Sequence, residues 1–299
     1  MGILRAAMTQ TINAYPDMPD RREDLPGLKD RLEDIRRSNV EHNIDLIRAA
    51  SEAGARIICL GELFPMPYFA FYEEAMWLDC AEDAADGPTI SALKETARSC
   101  GIVTVAPIYE KDASSGRRYD TAVVIDEKGA VLGKYRKAHI PCGTNEQGRF
   151  AETYYYGSSD APPYFPVFKT SIGTIGVNIC YDRHFEGVVA ALAKAGAGLI
   201  FSPAVTFGDK SRRMWKHEFI VDAARHRVYI GGSNRKGAEK PWNQDFFGES
   251  YFAGPDGEAL ENVSQNPRLI ISEMNLDALK KPDPSGWDLA RDTRPDIYR

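Results

Sequence analysis

No run in the 299-residue chain is apolar over the roughly 18 or more residues that a membrane-spanning helix needs, which argues against a membrane protein of the helical kind. Basic charge is also in deficit. With 37 Lys and Arg against 43 Asp and Glu, the formal charge is −6, and the chain lacks the broad cationic face that nucleic acid or anionic lipid requires. Neither a nucleic acid nor a membrane is therefore an expected partner. The five cysteines (Cys59, Cys80, Cys100, Cys142, Cys180) include no Cys-x-x-Cys pair and are odd in number, so neither a disulfide framework nor a zinc site is indicated. No glycine-rich dinucleotide fingerprint or phosphate loop follows a strand-like run; Gly196-Ala197-Gly198 precedes its strand, the wrong context for binding phosphate. No cofactor and no metal are expected. Met1 to Ala6 passes straight into a strand-like run without the apolar core and small-residue cleavage site of a secretory signal, giving an expectation of a cytoplasmic protein.

What is present is an ordinary globular composition, 43% hydrophobic and 27% charged, in a chain long enough for a sizeable core. Strand-like and helix-like patterns alternate. A strand at 3–9 is followed by a polar stretch to Arg37, then by a helix that the Ser38/Glu41 capping-box spacing starts and Gly54 stops. A buried strand at 56–60, a helix at 91–99 closed by Gly101, and a β-branched run at 102–105 come next. Segments 119–125 and 131–135 flank Asp126-Glu127-Lys128-Gly129, a hairpin turn. The second half repeats the rhythm: strands at 166–169 and 172–179, a helix at 186–194, a strand at 199–202, a charged helix at 211–226, and strands at 228–233, 250–253 and 269–274. Ala53-Gly54-Ala55 and Ala195-Gly196-Ala197 each end a helix and enter a strand, so the chain reads either as two related halves or as two uses of a common junction. The absence of a linker points to one α/β domain over 1–274. The Pro-rich, charged segment 275–299 reads as a tail, suited to packing on a partner subunit.

Three segments carry candidate chemistry. Gly176 to Ile179 delivers Cys180 to a strand end before the polar Tyr181-Asp182-Arg183-His184 turn, a place where a thiol gains exposure and backbone donors. Read alone, Cys180 is more readily a core residue than a nucleophile, and Cys59, Cys80 and Cys100, within apolar patterns, fit a core role better still. Leu60-Gly61-Glu62-Leu63-Phe64-Pro65 sets an acid among apolar neighbours, which should raise its pKa toward the working range of a general base. In Lys134-Tyr135-Arg136-Lys137-Ala138-His139-Ile140-Pro141, alternation turns Tyr135 and Lys137 to one face and Arg136 to the other.

Together these segments resemble the nitrilase superfamily of carbon-nitrogen hydrolases over nearly the whole chain. The resemblance implies catalytic roles for Glu62, Lys137 and Cys180, and a second glutamate at Glu152 in Arg-Phe-Ala-Glu-Thr-Tyr-Tyr, with Glu146 the alternative. It implies an α/β fold, a four-layer αββα sandwich of two quasi-equivalent halves, and a homodimer or higher homo-oligomer. Asn178-Ile179-Cys180-Tyr181 with Arg183-His184, Met66-Pro67 after the base, and Asp86-Gly87-Pro88-Thr89 are most similar to β-ureidopropionases and related N-carbamoyl amino-acid amidohydrolases. Between Glu62 and Lys94 no basic residue stands where that branch places an arginine for a substrate carboxylate; Arg183, Arg212 and Arg213 are the substitutes in view. The implied substrate is a small-molecule amide or ureido compound, with Tyr181, His184, His139, Arg183 and Phe207 as candidate contacts and Trp215 as either pocket or core. An aliphatic amidase or nitrilase would use the same three residues, and a non-catalytic binding module on the same fold is the alternative outside enzymes.

Overall fold

Period-two alternation in Leu4–Thr9 (β1) sends Ala6 and Met8 to one side and Ala7 to the other, and both sides are buried. That is the pattern of a strand covered on each face. The structure, a computed structural model, describes residues 2–297, so the first residue of the expected 1–274 domain and the last two of the 275–299 tail lie outside the described residues. The first half continues with α1 (Leu32–Glu52), β2 (Ile57–Cys59), α2 (Pro88–Cys100), β3 (Val103–Lys111), β4 (Arg118–Ile125) and β5 (Val131–Arg136). A small hairpin, β6 (Cys142–Thr144) and β7 (Arg149–Ala151), and a single turn, α3 (Glu152–Tyr155), lead into the second half. There follow β8 (Val167–Thr170), β9 (Gly173–Val177), α4 (Glu186–Lys194), β10 (Leu199–Ala204), α5 (Asp209–His226), β11 (Tyr229–Asn234), the hairpin β12 (Lys236–Glu239) and β13 (Gln244–Phe247), β14 (Tyr251–Ala253) and β15 (Leu269–Met274).

Two sheets result. The first runs β15-β1-β2-β3-β4-β5, with β1, β2 and β3 parallel and the rest antiparallel; the second runs β14-β11-β10-β9-β8, with β9, β10 and β11 parallel between antiparallel edges. Each parallel trio is linked by two crossover helices. The Ala-Gly-Ala junctions occupy equivalent places, with Gly54 at φ +83° before β2 and Gly196 at φ +97° before β10. Ala7, Ile58 and Leu60 pack on Val40, Ile47, Ile90 and Leu93 of α1 and α2, while Met8, Cys59 and Val105 turn inward to join Val177 and Phe201 of the second sheet. Trp215 and Phe219 of α5 close the far side. Packing there is tight enough that a Cβ on Gly231 would meet Met8 Sδ at 2.7 Å, which is why a side chain is missing at that point between the sheets. The layers are helix, sheet, sheet, helix.

Most boundaries shift by one to three residues from the sequence reading, and two shift further. The first helix begins at Leu32, after a 3-10 segment at Arg22–Arg31, and Ser38 is a mid-helix residue whose Oγ donates to Asp34 O at 2.9 Å. Glu33, Asp34 and Arg37 are at least partly exposed there, and Arg36 turns in to donate to Cys80 O, so charge hides the apolar register of Leu32 and Ile35. Strand β3 extends to Lys111 because it pairs with β4 along its whole length. After β15, Leu276 and Leu279 pack on the core, and the chain beyond, including α6 (Leu289–Asp292), is almost wholly exposed. Among the described residues no helix is long and apolar enough to cross a membrane.

Candidate active site

Segments leaving the carboxyl ends of β2, β5, β9 and β10 converge at one end of the sandwich, where ligands bind in open parallel sheets. Glu62 follows β2, Lys137 follows β5, Cys180 follows β9 and Val205 follows β10.

Cys180 sits at φ +50°, a left-handed conformation that a non-glycine residue adopts only when its surroundings hold it. Asp182 does the holding. Its Oδ2 accepts from Ile179 N–H at 3.0 Å and from the Tyr135 hydroxyl at 2.5 Å, and its Oδ1 accepts from His139 N–H at 3.0 Å. The turn aims Sγ at a cavity of about 450 Å³, with Val205 O at 3.5 Å and Arg183 Nη1 at 3.9 Å. Tyr68 and Glu152 also line the cavity, Phe150, Phe207 and Val205 form apolar walls, and Glu146, Lys210, Met214 and Tyr181 are further lining residues.

Behind Cys180 lies a buried ionic cluster. The Lys137 ammonium is 2.7 Å from Glu62 Oε1, 2.7 Å from Glu152 Oε2 and 3.4 Å from Asp120 Oδ2. Glu152 Oε1 accepts from the Tyr68 hydroxyl at 2.8 Å, and Glu62 Oε2 accepts from Val205 N–H. Glu62, Lys137 and Asp120 have no exposed surface, and Glu152 has almost none. Burial by itself would neutralise these groups. For Lys137, burial works against the charge, but the Glu152 and Glu62 carboxylates hold its pKa well above the usual lysine value. For Glu62, burial pushes upward and is outweighed by the Lys137 ammonium, the neighbouring Asp120 carboxyl and the Val205 amide, so its pKa falls below the ordinary value. This corrects the sequence expectation of a raised Glu62: the apolar neighbours are real, but an ammonium from a distant strand decides the sign. Glu152 is raised, chiefly by burial. Burial, then Glu62, raise the Cys180 thiol despite Lys137 and Arg183, so the resting site pairs a neutral thiol with an ionised Glu62.

The other residues singled out in the sequence divide by position. Glu152, not Glu146, touches Lys137; Glu146 accepts from Asp209 N–H at the start of α5. Arg183 is buried and fully engaged, by Cys180 O at 2.8 Å, Thr206 Oγ1 at 3.2 Å, Ser211 Oγ at 3.3 Å and Glu218 Oε2 at 3.2 Å. His184 lines the cavity, with Nδ1 2.5 Å from Glu218 Oε1. His139 is not among the lining residues: its ring stacks on Phe185 at 3.7 Å, and its Nδ1 is 2.7 Å from Asp182 Oδ1. Arg212 pairs with Glu249, neither Arg212 nor Arg213 lines the cavity, and Trp215 is core, its Nε1 donating to Glu249 O at 2.7 Å. Sequence reasoning missed Tyr68, Asp120, Asp182 and Glu218. It also missed Arg235, whose Nη2 donates to the carbonyls of Glu62, Leu63 and Met66 at 3.1, 3.1 and 3.0 Å. Only Asp182, two residues from the cysteine, had a local signal.

A four-layer αββα sandwich with a cysteine-floored cleft is the architecture of the nitrilase-superfamily hydrolases. The chain belongs to the carbon-nitrogen hydrolase family, whose sequence profile matches residues 35–281. It is a hydrolase of carbon–nitrogen bonds other than peptide bonds. The chain is 32% identical to the β-ureidopropionase of Arabidopsis thaliana, over 99% of this chain and 72% of that protein. It is also 32% identical to the N-carbamoylputrescine amidase of Oryza sativa subsp. japonica, over 89% of this chain and 90% of that one. Among solved structures, the carbon-nitrogen hydrolase of Helicobacter pylori G27 superposes with a TM-score of 0.82 at 23% identity, over 99% of this chain and 97% of that one. An amidase from Nesterenkonia sp. gives 0.73 at 23%, over 99% and 95%. At those identities the structural likeness speaks for the fold.

Proposed function

We propose that the protein hydrolyses N-carbamoyl compounds, with Cys180 as nucleophile, Glu62 as general base and acid, Lys137 as oxyanion donor and Glu152 as the group that orients Lys137. The observation that carries this reading is the buried Lys137, held at 2.7 Å by both Glu62 and Glu152 directly behind a cavity-facing thiol. Glu62 takes the thiol proton as Sγ attacks the ureido carbon, so that no free thiolate has to be stored in the resting enzyme. The oxyanion forms against Lys137 and the Tyr181 backbone N–H, where one preorganised donor typically contributes about 10² to 10³ in rate. The C–N bond then breaks, the proton on Glu62 goes to the departing nitrogen, and water activated by Glu62 cleaves the thioester. One water is consumed overall, and the ureido group ends as free amine, ammonia and carbon dioxide.

Phe207, Tyr181 and His184 contact the substrate in this reading, Arg183 fixes the Cys180 turn and the Thr206 loop, and His139 acts through Asp182. Lys210 lines the cavity without an ion pair among the described residues, and Glu146 lies close by. A ureido acid would take Lys210, whereas a carbamoylated diamine would take Glu146. The test is release of ammonia and carbon dioxide from N-carbamoyl-β-alanine and N-carbamoylputrescine, with an aliphatic amide in parallel. Both gases from a ureido substrate support the proposal; ammonia from the amide alone makes the enzyme an amidase and overturns it.

The reading extends to assembly. We assign the 275–299 tail, with Trp287 and Leu289 exposed, to packing on a second copy in a homodimer, testable by light scattering on the full chain and on one ending at residue 280. Five thiols with no disulfide among them support a cytoplasmic location.

A further inference from the structure

Asp120 is the buried acid that the proposed reaction leaves unused. It stands on β4 beside the end of β5, where Lys137 N–H donates to Asp120 O at 2.9 Å, and this pairing brings its side chain into the ionic cluster. As a carboxylate it is badly served. Neither oxygen accepts a hydrogen bond, although both are buried, and its nearest cation, Lys137, stands at 3.4 Å while two other carboxylates hold that ammonium at 2.7 Å. Three carboxylates around one ammonium would leave two uncompensated negative charges in a cluster almost wholly closed to solvent. Like charges so crowded cannot all stay ionised, and one must keep its proton.

The place beside Glu62 identifies which one. Asp120 Oδ2 and Glu62 Oε1 both stand against the Lys137 ammonium, at 3.4 and 2.7 Å, and two carboxyls gathered on one cation attract each other only if one of them carries a proton. Glu62 already receives the Lys137 ammonium and the Val205 N–H, and Glu152 receives Lys137 and the Tyr68 hydroxyl; each therefore has donors suited to an anion. Asp120 has none. Burial, then Glu62, push its carboxyl well above the usual range, with Lys137 only partly offsetting them and Glu152 adding to the rise. The remaining ionisable groups of the cluster are the Tyr68 and Tyr156 phenols, both raised by burial and neutral, and the neutral Cys180 thiol.

We propose that Asp120 is held as the neutral acid, its O–H donated to Glu62, and that this donor keeps Glu62 ionised and empty for the thiol proton. Asp120 is thus a positioning residue acting through Glu62, and its own proton never leaves it during turnover. The inference rests on Glu62 being the base.

The test compares Asp120→Asn and Asp120→Ala with the parent, in the full-length protein. Asn is neutral and offers a donor to Glu62, as the protonated acid does, whereas Ala offers none. The first readout is the infrared difference spectrum of parent minus Asp120→Asn at neutral pH, which needs no substrate. The carbonyl band of a protonated carboxylic acid is expected; a carboxylate band in its place overturns the proposal whatever the enzyme hydrolyses. The second is the pH dependence of Cys180 alkylation by iodoacetamide. Its acid limb is expected to stay within about 0.3 pH unit in Asp120→Asn and to move up by about one unit in Asp120→Ala, where Glu62 loses a hydrogen bond to its ionised form. A downward move of about a unit in Asp120→Asn would mean that a negative charge had been deleted, and would refute the idea. If Asp120→Ala fails to fold, the other two results decide. If neither variant moves the limb while the acid band is present, Asp120 is protonated but does not act on Glu62, and the proposal fails in that part. An alkylation rate with no acid limb in the parent counts instead against Glu62 as the base.

Discussion

Replacing Arg235 should damage both stability and turnover, through one loop. Its guanidinium is nearly inaccessible; besides its three carbonyl acceptors on Glu62, Leu63 and Met66 it pairs with Glu239. Glu239 in turn accepts from Asn13 N–H and Tyr68 N–H, each at 2.8 Å. Leu63 stands at φ +50°, so the loop carrying Glu62 is in a conformation it would leave if released. Arg235→Ala removes the donor from three carbonyls and strands a buried carboxylate. Deleting one partner of a buried pair costs about 3–5 kcal/mol. Removing both charges as Arg235→Met with Glu239→Gln should be less damaging than the summed single variants, because the uncompensated charge is gone. Urea titration followed by far-ultraviolet circular dichroism measures this, with the cycle giving a coupling of about 2 kcal/mol or more. Hydrolysis should fall at least 10²-fold in Arg235→Ala through displacement of Glu62, as a misplacement of about 1 Å does elsewhere. A single-variant cost below about 1 kcal/mol, or strict additivity in the cycle, would refute the reasoning.

Three further outcomes follow from the same geometry. Tyr68→Phe removes a hydrogen bond to a buried carboxylate and should cost about 1.5–3 kcal/mol in denaturant titration, while Lys137 still holds Glu152. Asp222 on α5 is pushed up to about 6, by burial first and then by Glu218 and Glu186 against Arg225. A carboxyl raised on folding binds its proton more tightly in the native state, so it lowers stability as pH rises from about 4 to about 6; Asp222→Asn should stabilise the protein by on the order of 2 kcal/mol at pH 7.5 and give no gain below about pH 4. Iodoacetamide at neutral pH should label exposed Cys142 before buried Cys180, and Glu62→Gln should suppress the second event alone, as peptide mass mapping would show.

Local patterns carried most of the fold. The 186–194 helix and the 269–274 strand have the boundaries that apolar spacing indicated, and the hairpin at 126–129 closes with Asp126 N–H on Ala130 O. The start of α1 was hidden because Ser38 mimics a cap while charges mask the turn before it. The candidate residues that the structure brings together were legible where one short segment carries both the element end and a reactive side chain, as at Glu62, Lys137 and Cys180. Asp120, Tyr68, Glu218 and Arg235 were not, since each matters only through a partner far away in the chain. The same distance explains the sign of the Glu62 shift: its neighbours in sequence are apolar, while its neighbour in space, 75 residues on, is an ammonium.

The central claim is covalent hydrolysis by Cys180, and its most direct test is rapid acid quench of the enzyme with N-carbamoyl substrate, followed by peptide mass analysis beside Cys180→Ala. The expected result is a carbamoyl-derived mass on the Cys180 peptide during turnover, with neither adduct nor product from the variant. Product formation by Cys180→Ala at a rate near that of the parent would contradict it.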